Sequence, residues 1–354
     1  MAKRQKAEPR LVSLDGLSDW QRQVYLEPLE LGRQVASRFL PAEQRELEIS
    51  YVDSPPFNAS AGRRNEQYRI RVHVSVAAIL HFVFNHLFRH AALLPKLGSF
   101  AEGDTYAVFD HGIPTALPTD VSAEQAVVQL LAMSRPSDDQ RTQMAAIATR
   151  IALSFCVLHE VAHVLCGHAR YAALHFRGSE VTEFLGSKRP VIEHHLRRAW
   201  EYEADKTAAA ALMQWLATDA NLRAHLAELM GDSVERDLLW LAGFSLRVLF
   251  RLLAQVQTAT SNTPVHAPAE LRSEIVQNAI HFVYSGVRRK TRERLLAQSH
   301  DDADLLWEEI VPGNSHLTPV LIPQLDELED LLASKRPGYV NLAYLSASLQ
   351  QRPR

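Results

Sequence analysis

At 354 residues, 47% of them hydrophobic and 22% charged, the chain has ordinary globular composition and can bury one sizeable core or two modest ones. Its 38 basic and 41 acidic residues leave a net charge of −3, which argues against a basic nucleic-acid-binding surface. The basic start at Lys3, Arg4, Lys6 and Arg10 leads into no apolar segment, so no secretory signal is expected.

In chain order, residues 18–40 read as helical, with apolar positions at Trp20, Val24, Leu31, Val35 and Phe39. Pro28 interrupts that pattern and predicts a kink or two shorter helices. Residues 47–52 and 68–74 read as strands across a loop that contains Pro55, Pro56 and Gly62. Residues 76–94 read as a helix, and 98–119 as an irregular segment rich in Gly, Pro and Asp, with Asp110 and His111 as extra polar groups at a cleft border. Helices are expected at 122–133 and 137–170, the second opened by a Ser137/Gln140 capping box. A linker at 178–190 leads to a helix over 190–217. Asp232 and Glu235 cap a further helix to about residue 257, and a polar break at 258–264 follows. Helices over 268–284, 287–300, 301–311 and 322–334 complete the reading, with Gly286 as a stop. The two most apolar runs, 74–88 and 238–246, are broken by His81, Asn85 and His86 and ended by Arg247 and Arg251. Both fall short of the ~20 clean apolar residues of a membrane span and read as buried helices.

The chemistry lies in the 137–170 helix, which contains His159-Glu160-Val161-Ala162-His163. On a helix, residues i and i+4 share a face, so His159 and His163 can reach one Zn²⁺ ion. Glu160 sits one residue round, placed to take a proton from a water at that ion. An apolar stripe through Ile147, Ile151, Phe155, Leu158, Ala162 and Leu165 sets both histidines at a buried edge.

A catalytic zinc needs a third protein ligand. The metzincin pattern fails, because Cys166 and Ala169 stand where its Gly and third His belong. The gluzincin pattern takes a Glu from a second helix, and Glu201 in Trp200-Glu201-Tyr202-Glu203-Ala204-Asp205 fits. Asp205, one turn on, shares its face and can accept the free N–H of a ligating histidine. Glu203 is the competing carboxylate on another face, and a solvated acidic helix face is the plain alternative for the cluster. The only cysteines, Cys156 and Cys166, lie ten residues apart on one helix (156 to 166), too far to bridge. Cys156 is a small apolar core residue or a further metal group.

These residues resemble the gluzincin peptidases that include the HtpX heat-shock proteases and the CAAX-prenyl endopeptidases. Those families carry H-E-x-x-H-x-x-x-x-H, matched here through His168, then E-x-x-x-D, matched by Glu201 and Asp205. Their H-P-P-x-x-x-R element is similar to His266-Ala267-Pro268-Ala269-Glu270-Leu271-Arg272, with Ala267 in place of the first Pro and Val265 in place of the preceding Thr. The resemblance implies that His266 stabilises the oxyanion and that Arg272 holds the site together. An ordinary helix-start residue is the other reading of His266. A weaker likeness at Asn58-Ala59-Ser60-Ala61 and the strand after it implies an edge strand that pairs with an extended peptide. The absence of clean spans brings the chain nearer to the soluble Lit-type phage-exclusion peptidases.

The expected fold is mainly α with a small β-sheet, a zincin-like catalytic domain over 46–286 between a helical segment at 1–45 and a helical extension at 287–354. The expected activity is zinc-dependent hydrolysis of a protein or peptide substrate, with His159, His163 and Glu201 on the metal and Glu160 as the base. Hydrolysis of a non-peptide amide by the same constellation, or a metal-stabilised interaction scaffold with a vestigial site, are the alternatives. Two unbridged cysteines suit the cytoplasm.

Overall fold

The computed structural model describes residues 10–312 except 13, 41–46, 65, 100–107, 110–111, 176–179, 183–190, 232 and 261–267. The expectations for Asp110, His111, Asp232, His266 and residues 322–334 lie outside the described residues. Among the described residues there are ten helices and four strands, a mainly α chain with a small mixed sheet.

Helix α1 (Asp19–Phe39) opens the fold, and Pro28 lies inside it without splitting it. The proline forfeits one backbone hydrogen bond. Its helix stays whole while Tyr25, Leu29, Leu31 and Ala36 are buried along it. Strands β1 (Leu47–Val52), β2 (Ala59–Arg64), β3 (Gln67–His73) and β4 (Glu180–Thr182) form one sheet in the order β1-β3-β2-β4. β1 runs parallel to β3, and β2 runs antiparallel to β3 and to β4. The alternating burial of β3 matches its expected period of two. That strand is internal, however, not the edge that the resemblance implied. β2 occupies its flank, where the sequence read a loop, because Ala59, Ser60, Ala61 and Gly62 have little strand preference of their own. The next strand, β3, on one side and the distant β4 on the other hold β2 extended.

Helix α2 (Val74–Phe88) is buried throughout, and α3 (Ala123–Ser134) begins with a capping box at Ser122 and Gln125. Helix α4 (Asp139–Leu165) is central and packs against α1, α2, the sheet and three later helices. Its N-cap is Asp138, one residue after the expected Ser137, because the Asp138 carboxylate accepts the Arg141 N–H at 3.1 Å. Arg141 is itself buried and donates to the carbonyls of Phe88, His90, Leu93 and Leu94, which ties the start of α4 to the chain leaving α2. Gly32 of α1 lets the two helices approach closely. A Cβ there would lie 2.6 Å from Val157 of α4 and 3.0 Å from Ile49 of β1.

The 137–170 segment is two helices, not one. Gly167, at φ +80°, breaks the chain between α4 and α5 (His168–His175). Helix α6 (Val191–Thr218) lies against α4, and its buried alanines at 208–211 give no bulk to hold it away. After α7 (Ala220–Met230), α8 (Val234–Thr260) packs on α4, and α9 (Ala269–Val283) packs on α6. The two helices expected at the end are one, α10 (Arg289–Ile310), whose Asp304 receives Arg247 and Arg251 from α8. One apolar core runs from Leu14 to Val311. Helices α4 and α8 are long and apolar enough to cross a membrane by composition, and here their apolar windows are 94% and 89% buried within the protein.

Candidate metal centre

Two helices build the centre. His159 and His163 project from one face of α4, and their Nε2 atoms stand 3.0 Å apart. Glu201 of α6 closes a triangle. Its Oε2 is 3.2 Å from His159 Nε2, and its Oε1 is 3.5 Å from His163 Nε2. All three side chains are 1% exposed. Nitrogen and oxygen ligands at about 2.0–2.1 Å from a tetrahedral zinc lie about 3.3 Å from one another. The observed edges of 3.0, 3.2 and 3.5 Å bracket that value, so the residues fit the ion.

The supporting groups fit as well. Asp205 Oδ1 lies 2.9 Å from His159 Nδ1. A histidine that offers Nε2 to a metal keeps its proton on Nδ1, so this pair fixes the tautomer and the ring. Arg272 of α9 then grips Asp205 with two bonds, Nε to Oδ2 at 2.8 Å and Nη2 to Oδ1 at 2.9 Å. Its Nη2 also lies 3.6 Å from Glu201 Oε2, and the guanidinium sits over the Phe250 ring. Two buried carboxylates thus share one guanidinium. A divalent cation between the imidazoles would supply the positive charge that such burial calls for. Burial pushes His163 well below the usual histidine range, against the opposing pull of Glu201. Its ring is therefore neutral near pH 7, with a lone pair for a metal.

Glu160 is buried on α4, next to His159. Glu203 does not join the triangle. Its Oε2 lies 3.1 Å from His168 Nε2, and the Nδ1 of His168 lies 2.9 Å from His163 Nδ1. His168, Glu203 and Cys166 form a second buried or half-buried group with metal-ligand atoms within 4.8 Å of one another. Cys156, by contrast, is a buried member of the apolar core. The sequence singled out His159, Glu160, His163, Glu201, Asp205, His266 and Arg272; His266 lies outside the described residues, and all of the others but Glu160 are joined here by the distances given. It quoted His168 only as a motif position. The chain break at Gly167 that turns His168 back toward His163 was the signal within reach, since a Gly late in an apolar helix marks a stop.

No family model, curated protein or solved structure matches the chain.

Proposed function

We propose that the protein is a zinc-dependent metallopeptidase of the gluzincin kind, with a zincin-like arrangement of α4 beside the mixed sheet. The observation that carries the reading is the buried triangle of His159, His163 and Glu201, with Glu160 adjacent to the first ligand in an H-E-x-x-H helix. Zinc, when bound, supplies a Lewis acid that polarises a carbonyl and makes water more acidic. His159, His163 and Glu201 hold it. Asp205 and Arg272 keep His159 in the tautomer that presents Nε2. Glu160 accepts the proton of the attacking water and passes it to the leaving amine. A purely structural metal site has no use for Glu160, which favours hydrolysis over a scaffold role.

The test is a map of newly made protein termini in cells that carry the wild type or Glu160→Gln. The wild type is expected to generate termini that the variant lacks, since loss of a general base lowers turnover by ~10²-fold or more. The variant protein should retain its zinc. An identical set of termini in both cells contradicts the proposal.

A further inference from the structure

We infer that His168, oriented by Glu203 and Trp200, is a positioning residue that holds the metal ligand His163 through its rear nitrogen. The inference rests on the metal reading of His159, His163 and Glu201. When His163 offers Nε2 to a metal, its proton is on Nδ1. Among the described residues, His168 Nδ1 stands at hydrogen-bond distance from that proton, 2.9 Å away, and must accept it. A neutral His168 then carries its own proton on Nε2, and Glu203 Oε2 stands 3.1 Å away to receive it. Every proton in the chain Glu203–His168–His163 is thereby placed, and the chain ends on a carboxylate. The His168 ring is also stacked on Trp200, with centroids 5.1 Å apart and planes 15° from parallel. That contact fixes the plane in which Nδ1 points.

The arrangement mirrors the other ligand. His159 is held from behind by Asp205 of α6, and His163 by Glu203 of the same helix through one intervening imidazole. Helix α6 therefore supplies the third ligand and both rear supports from Glu201, Glu203 and Asp205. Trp200 precedes them and braces the relay. A second metal on Cys166, His168 and Glu203 is the rival arrangement. It needs a lone pair on His168, and the relay uses both ring nitrogens, one as acceptor and one as donor.

Zinc stoichiometry and affinity, measured against a chromophoric chelator, decide the matter for the wild type, His168→Asn, His168→Leu and Glu203→Gln. Leucine keeps apolar contact with Trp200 but removes the acceptor. Asparagine retains an acceptor oxygen near the place of Nδ1. The expected order is wild type with one zinc, His168→Asn weaker, and His168→Leu weaker still by about 10–100-fold, the usual loss when such a support is removed. Glu203→Gln keeps the shape of the relay and loses its charge, and should weaken zinc several-fold; it decides the question if His168→Leu does not fold. Wild-type affinity in folded His168→Leu or in Glu203→Gln overturns the relay and leaves the metal reading intact. Two zinc ions in the wild type, falling to one in His168→Leu, overturn it in favour of the second site. No zinc in the wild type overturns both the relay and the metal reading.

Discussion

Glu201 and Glu203 are two positions apart on one helix and have different partners, because 200° of rotation separates them (2 × 100°). Glu201 faces the two Nε2 atoms and Glu203 faces His168. The gluzincin pattern and the i, i+4 spacing to Asp205 pointed to Glu201, and Asp205 does stand behind His159. Spacing could not reveal that Glu203 has a task. That depends on Gly167 turning the chain so that His168 points back along α4, and the apolar period of 137–170 had been read as one unbroken helix. The two carboxylates should separate in a zinc titration. Glu201→Ala removes a ligand and is expected to weaken zinc by orders of magnitude. Glu203→Ala removes a support and should stay within about 100-fold. Equal losses, or the reverse order, would show that the ligand has been assigned to the wrong carboxylate.

Elements with strong periodicity were legible in the sequence, and those shaped by the strands beside them were not. β3 and the apolar helices carry their burial pattern in their own residues. β2 does not, because its Ala-Ser-Ala-Gly run becomes a strand only between β3 and β4. The family resemblance placed β3 at an edge, and β1 and β2 flank it instead. Pro28 was expected to divide α1, yet the helix continues, with buried residues on both sides of the proline. Helix α1 seats on α4 at Val157 and Val161, which flank the His159–Glu160 pair, and Gly32 is a point of close approach. A methyl group there must displace Val157 or Ile49. Gly32→Ala is therefore expected to destabilise the protein by about 1–3 kcal/mol, as overpacking of a tight contact does. Urea unfolding of the wild type and the variant measures this, and an unchanged midpoint would show that the approach is not tight.

At the scale of the whole molecule, one apolar core joins the first described helix to the last, and buried arginines within its helices find partners across it. Arg247 and Arg251 of α8 meet Asp304 of α10, and Arg141 meets four carbonyls after α2. His81, Asn85 and His86 in α2, and Arg247 and Arg251 in α8, made both read as buried helices, and both are buried here. At the centre of this core the protein keeps a set of ionisable groups, Glu160, Glu201, Asp205 and Arg272 with two imidazoles, in a place where unpaired charge is costly. A bound cation would give that arrangement its reason. The direct test is elemental analysis of the purified wild type and of His163→Ala, with folding of each checked by circular dichroism. About one zinc per wild-type chain and almost none in the folded variant is the predicted result. A wild type without metal, or a variant that retains the wild-type amount, would contradict the account.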